Sequence, residues 1–195
     1  MKIFILLITL VFGLANPVWA DDFDPRKIYQ ETSPAVVLVT GANPGSRFRS
    51  IGTGSIIRKD GLVITNAHVI LNLEHNKPYR NLWVYLKPKR LTGDFKKDTA
   101  LRYRANLIAY SKARDLAILK ISKAGSFQDM SPLSFADSDH TRIGEKVVAI
   151  GHPEQGGFWS LTTGTISTQI QNFQDIRGKH VFQTETSINK GNSGG

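Results

Sequence analysis

The segment Asn189-Lys190-Gly191-Asn192-Ser193-Gly194-Gly195 sets a serine among glycines. Gly191 and Gly194 let the backbone take φ values closed to other residues, so the chain can turn tightly, expose the Ser193 hydroxyl and aim backbone N–H groups at one point. Such a hydroxyl is a weak nucleophile until a base takes its proton. Two other residues could complete that chemistry. His68, in Thr65-Asn66-Ala67-His68-Val69, follows an apolar β-branched run, and Asp115 opens the run Asp115-Leu116-Ala117-Ile118-Leu119. The three occur in the chain order His, Asp, Ser, and His68 and Asp115 sit where a strand begins or ends. The serine segment also reads as a plain Gly/Ser turn, and a lone histidine is usually structural or solvated; the combination is what points to nucleophilic catalysis.

The elements that must hold these residues are mostly strands. Asp24-Pro25 reads as an N-cap followed by proline at the first helical position, which predicts a short helix to about Thr32, before Ser33-Pro34. Strands are expected at Ala35–Thr40, Gly52–Arg58, Leu62–Thr65, Leu82–Leu86, Ala105–Tyr110 and Leu116–Ile121, with Asp60-Gly61 marking a hairpin. A second group follows at Lys146–Ile150, Ser160–Thr168 and His180–Thr184. Short strands separated by turn residues indicate a barrel or sandwich. A three-stranded second group leaves an open edge and an apolar face uncovered.

The chain has 195 residues, 41% hydrophobic and 21% charged, which is ordinary for a globular protein able to bury a core. It has no cysteine, excluding a cysteine nucleophile, a thiolate metal site and a disulfide framework. The net charge is +9, with basic residues spread over Lys87-Pro88-Lys89-Arg90, Lys96-Lys97 and Arg102–Arg104. A solvated basic surface accounts for them, and no nucleic-acid partner is expected. Residues Met1–Ala20 read as a secretory signal peptide: Lys2, an apolar run from Ile3 to Leu14, and Val18-Trp19-Ala20 before a cleavage point at Asp21. The run is too short to span a bilayer comfortably. The expected location is therefore periplasmic or extracellular, without an integral membrane segment after leader cleavage.

Three segments together resemble the chymotrypsin-like serine proteases, and most of all the bacterial HtrA/Deg branch. They are Gly52–Val69 (GTGSIIRKDGLVITNAHV), Asp115–Ile121 (DLAILKI) and Gln183–Gly195 (QTETSINKGNSGG); Ser33-Pro34-Ala35-Val36-Val37 and Gly151-His152-Pro153 are weaker echoes. The resemblance implies an all-β fold of two lobes, each an antiparallel six-stranded barrel, with the second barrel incomplete here. Its implied parts are a leader at residues 1–20, a helical lead-in at 21–34, a first barrel at 35–123, a connection at 124–142 and a partial second barrel at 143–195. It also implies a serine endopeptidase acting through an acyl-enzyme on Ser193, with His68 as base, Asp115 orienting it, and Gly191 and Ser193 N–H groups as the oxyanion hole. No cofactor or metal is implied. The partners are protein or peptide substrates, unfolded ones included, and a homo-oligomer is compatible with the branch. Ser187 and Ile188 fall where the family places its pocket floor, and being uncharged they favour small or medium aliphatic side chains over Lys or Arg.

Some features depart from the family or fit a rival. Lys190 stands where the family usually has proline, and Leu71 to Asn106 is a long connection before the aspartate. The family continues past the Gly-Gly pair, so a C-terminally truncated chain with little activity of its own, or a protease-like binding protein, is the alternative expectation. Gly191–Gly195 also fits the G-x-S-x-G elbow of α/β-hydrolases, whose chain order of Ser, acid, His is not met. The Glu74-His75 pair fits no zinc-protease spacing, and His140, His152 and His180 read as solvated or hydrogen-bonded rather than as ligands.

Overall fold

The structure, a computed structural model, describes residues 23–46, 49–72, 75–122 and 131–195. The leader reading, Glu74 and the first part of the 124–142 connection fall outside the described residues. The helix α1 (Pro25–Thr32) starts as the sequence predicts, with Asp24 Oδ1 accepting from the N–H groups of Arg26 (2.9 Å) and Lys27 (3.2 Å). That satisfies two of the donors a helix start leaves open.

Six antiparallel strands then close into a barrel. They are β1 (Val36–Ala42), β2 (Arg49–Arg58), β3 (Leu62–Thr65), β6 (Asn81–Leu86), β7 (Arg102–Ser111) and β8 (Leu116–Ile121), in the order β1-β2-β3-β8-β7-β6. β1 hydrogen-bonds both β2 and β6, so the sheet closes on itself and has no exposed edge. Alternation decides the interior: Leu82, Val84 and Leu86 of β6 and Ala117, Leu119 and Ile121 of β8 point inward and are buried with Val37, Val39, Ile56 and Val63. Each valine, leucine or isoleucine among them contributes about 1.5–3 kcal/mol when fully buried. The Asp60-Gly61 hairpin is as expected: Gly61 takes φ +82° and donates to Arg58 O at 3.0 Å, while the Asp60 carboxylate pairs with Arg58 and, at 2.9 Å, with Lys120 Nζ of β8.

The stretch left undefined by the sequence between Leu71 and Asn106 holds more than strand β6. A helical turn α2 (Ala67–Ile70) leads into a small hairpin of β4 (Leu71–Asn72) and β5 (Lys77–Pro78). After β6, the turn α3 (Phe95–Asp98) ends on a carboxylate that is only 3% exposed. Asp98 accepts from Thr92 N–H (2.9 Å), Thr92 Oγ1 (2.8 Å) and Gly93 N–H (2.9 Å). Burial would raise its pKa, but these donors outweigh it and hold the carboxyl below its usual value. Arg102 and Arg104 of the basic clusters lie over the Trp83 ring, 4.4 and 5.5 Å from its centre.

The second lobe is a three-stranded sheet, β9 (Lys146–Gly151), β10 (Ser160–Ile170) and β11 (Val181–Thr184), in the order β11-β10-β9. Its core is small, built on Ile150 and Trp159 packed against Val36 of the barrel. Two long-range hydrogen bonds fasten it there: Trp159 Nε1 donates to Val36 O (2.7 Å), and Tyr29 Oη donates to Trp159 O (2.8 Å). Among the described residues no helix is long and apolar enough to cross a membrane.

Candidate active site

The barrel brings His68 and Asp115 together across 47 residues of chain. β3 pairs with β8, Thr65 opposite Ala117, so α2 at the end of β3 meets the turn before β8. Asp115 sits in that turn with φ +55°, a left-handed conformation to which Asp and Asn are better suited than most side chains. Asn66 Nδ2 holds its carbonyl at 2.7 Å. Its carboxylate is used on both oxygens: Oδ1 accepts His68 N–H at 3.0 Å and Oδ2 lies 2.8 Å from His68 Nδ1. A carboxylate can only accept, so Nδ1 carries a proton, and in the neutral ring Nε2 is the nitrogen with the free lone pair. The ring remains about half exposed, at 47% of its side-chain surface.

Ser193 reaches this corner from the other lobe. Gly52 on β2 makes the approach feasible, since a Cβ there would come within 2.5 Å of Val69, next to His68, and 3.1 Å of Ser193 O. Four successive carbonyls of the serine turn are tied down. Lys190 O accepts from Glu154 N–H (2.8 Å), Gly191 O from Thr53 Oγ1 (2.8 Å), Asn192 O from Gly195 N–H (2.9 Å) and Ser193 O from Thr53 N–H (2.8 Å). Peptide groups are planar and trans, so each N–H points opposite the carbonyl of the same peptide. Fixing Lys190 O and Asn192 O thereby fixes the directions of Gly191 N–H and Ser193 N–H. Neither of those donates to another group among the described residues. Gly191 itself has φ +94°, and a Cβ would lie 2.1 Å from His152 O, so only glycine fits.

The Ser193 hydroxyl makes no hydrogen bond among the described residues, to His68 or to another group, and the residue is half-buried. Catalytic hydrogen bonds are often loose until substrate is bound. Ser187 and Ile188 lie on the exposed approach to the turn; Ile188 is 56% exposed and Ser187 O accepts from Thr162 Oγ1 at 3.2 Å. Between the lobes a cleft of about 460 Å³ is bordered by Asn66, Asp115 and Leu116 on the barrel side and by Phe173, Lys179 and Val181 on the other. A cavity of about 360 Å³ with apolar walls of Ile57, Ile64 and Phe135 adjoins Gly194 and Gly195. Among the described residues, no group of three or more His, Cys, Asp or Glu side chains comes together.

Three participants were not assigned roles by the sequence: Asn66, Thr53 and His152. Thr53 and His152 stand inside the Gly52–Val69 and Gly151-His152-Pro153 segments that carry the resemblance. Their long-range bonds, to residues 99 and 138 positions away, have no sequence signature.

A family model described as "Trypsin-like peptidase domain" matches residues 52–195. The magnetosome formation protease MamE of Paramagnetospirillum magneticum is 32% identical over 160 residues, covering 79% of this chain and 19% of that protein. A probable serine protease do-like of Buchnera aphidicola subsp. Acyrthosiphon pisum is 35% identical over 151 residues (76% of this chain, 27% of that one). A probable periplasmic serine endoprotease DegP-like of Rickettsia prowazekii is 33% identical over 148 residues (74% and 25%). Among solved structures, the HtrA-type protease AlgW with tripeptide superposes with a TM-score of 0.67 at 26% identity, covering 88% of this chain and 49% of that one. The serine endoprotease from Yersinia pestis gives 0.63 at 28%, covering 89% and 52%. The chain thus spans a fifth to a quarter of the length of these curated relatives and about half of these solved chains.

Proposed function

Since this chain belongs to the trypsin-like peptidase family, in the HtrA/Deg branch, we propose that it is the catalytic part of a serine endopeptidase that hydrolyses peptide bonds of proteins through an acyl-enzyme on Ser193. The observation that carries this reading is the double hydrogen bond between Asp115 and His68. It fixes the ring, and in its neutral form makes Nε2 the nitrogen able to act as base.

The chemistry follows from that arrangement. Substrate binding brings His68 Nε2 and Ser193 Oγ into contact; Nε2 takes the hydroxyl proton as Oγ bonds to the carbonyl carbon. The carbonyl oxygen gains negative charge and accepts from Gly191 N–H and Ser193 N–H. Each such donor is worth about 2.7–4 kcal/mol in the transition state. Asp115 stabilises the imidazolium without taking its proton. The imidazolium then protonates the leaving amine, the C–N bond breaks, and an ester to Ser193 remains. Water, deprotonated by the same Nε2, attacks the ester, and the proton returns to Oγ as the acid leaves.

Protein or peptide substrates, unfolded ones included, suit an open cleft, and the uncharged Ser187 and Ile188 suit small or medium aliphatic side chains. The reading of residues 1–20 as a leader and the relatives named as periplasmic support action outside the cytoplasm. The test uses residues 21–195. A fluorophosphonate adduct on Ser193 by mass spectrometry, with cleavage of unfolded casein that disappears in Ser193→Ala, supports the proposal. A folded chain that takes no adduct, together with a full-length parent that cleaves nothing, instead favours a protease-like binding protein, the reading to which the unbonded Ser193 hydroxyl lends weight.

A further inference from the structure

Thr53, buried in β2, grips the serine turn twice, by N–H to Ser193 O and by Oγ1 to Gly191 O. The same Oγ1 lies 3.0 Å from His152 Nδ1 and accepts His152 N–H at 3.2 Å. A hydroxyl has one proton and two lone pairs. Gly191 O can only accept, so the Thr53 proton goes there. Both lone pairs then take donors, which requires a proton on His152 Nδ1. The ring is therefore the Nδ1–H tautomer, and its Nε2 is a bare acceptor, buried and without a partner among the described residues. The ring is 0% exposed and sits against Trp159 (4.6 Å between centres, 75° between planes) and Phe158 (5.8 Å). Burial pushes its pKa down to about 3, so it stays neutral at ordinary pH.

We propose that His152 and Thr53 form a positioning relay for the serine turn, in which His152 Nδ1–H fixes the Thr53 hydroxyl and that hydroxyl locks the Gly191–Asn192 peptide. This peptide lies between the two that present Gly191 N–H and Ser193 N–H. If it rotates, both donors lose their common aim. His152 also walls the turn from behind, through the carbonyl that excludes any side chain at Gly191. Neither residue touches the reacting atoms; they act through the turn. The catalytic consequence rests on the peptidase reading above, whereas the relay itself does not.

The experiment has a spectroscopic arm and a kinetic arm on the 21–195 chain. In nitrogen-15 NMR, His152 is expected to show a protonated Nδ1 and a bare Nε2, unchanged between about pH 5 and pH 8. Thr53→Val removes the hydroxyl at nearly constant shape and is expected to shift the Gly191 and Ser193 amide signals. In the kinetic arm, Thr53→Val and His152→Leu are expected to lower kcat about tenfold to a hundredfold, the scale of a small misplacement of catalytic groups, with KM little changed. Thr53→Ser restores the hydroxyl, and His152→Asn restores a donor near the Nδ1 position; both are expected to recover most of kcat. A proton on Nε2 with bare Nδ1, a ring that titrates in the usual histidine range, or Gly191 and Ser193 amides unmoved in folded Thr53→Val would each overturn the relay. Wild-type kcat in Thr53→Val overturns its positioning role. A wild-type chain whose Ser193 takes no fluorophosphonate adduct yet gives the expected tautomer and amide shifts defeats the peptidase reading and leaves the relay standing.

Discussion

His68 and Asp115, the proposed base and its orienting acid, are built into a closed barrel, while Ser193, the proposed nucleophile, follows a three-stranded sheet. His68 and Asp115 stand at the joined ends of β3 and β8, two central strands whose inward residues Val63 and Leu119 are fully buried. Ser193 follows β11, which among the described residues pairs with β10 alone. Its turn is held mainly by borrowed groups, Thr53 from the barrel and Glu154 from the β9–β10 loop. The contrast separates two ways of fixing a reactive side chain. One is a rigid scaffold that places Cα atoms; the other is a set of hydrogen bonds that clamps a backbone turn. The first fails through packing and the second through loss of individual donors.

The sharpest way to break the His–Asp half without touching its packing is Asp115→Asn. An amide keeps the shape but can donate to Nδ1, favouring the tautomer with the proton on Nε2. Peptidase activity is expected to fall about ten-thousandfold with little change in melting temperature, measured by kcat/KM beside circular dichroism. On the serine side, the corresponding break is Gly191→Ala. The new Cβ meets His152 O at a hypothetical 2.1 Å in a backbone region hostile to side chains, so the turn must move. Loss of one aimed N–H is expected to lower kcat by about 10²–10³, with the barrel still folded.

Stability sharpens the same comparison. Leu119→Ala, which opens a cavity at a 0% exposed site in the barrel, is expected to cost about 2–5 kcal/mol. Ile150→Ala, at the margin of the small second core, is expected to cost less because its surroundings can collapse. Denaturant melts of both variants check the order. Hydrogen exchange on the parent chain should show the amides of β3 and β8 protected longer than those of β9 to β11.

Much of this was legible before any coordinates. The Asp24 cap, the Asp60-Gly61 hairpin and the nine longer strands follow from local chemistry: capping, φ freedom and alternation are read over a few residues. The three proposed catalytic residues were legible as types, and the His68–Asp115 contact was implied by family resemblance rather than by spacing. What stayed hidden is held by single long-range polar contacts. Asp98 organises the loop before β7 because three donors converge on one buried carboxylate. His152 read as solvated or hydrogen-bonded; it is fully buried, and its value to the turn depends on Thr53, 99 residues away. Such pairings emerge only when the chain has folded around them.

The smallest expected effect tests whether the second lobe has a polar clamp of its own. Glu185, just past β11, reaches back to β10: Oε1 accepts from Thr165 Oγ1 (2.6 Å) and Thr165 N–H (2.8 Å), and Oε2 from Ser167 Oγ (2.9 Å). The Thr165 hydroxyl first, and then a backbone donor and Ser167, lower its pKa from an ordinary 4.5 to about 2. A carboxyl depressed on folding stabilises the native state above its unfolded pKa, and that contribution fades as pH falls through the folded value. The sheet β9 to β11 is therefore expected to loosen between about pH 4.5 and pH 2, seen as faster amide exchange or wider lines in β10 and β11. Glu185→Gln should remove that dependence and leave the amides of β3 and β8 unaffected. If β3 and β8 loosen in the same window and to the same degree as β10 and β11, the two lobes unfold as one unit, and the contrast between scaffold and clamp does not extend to stability.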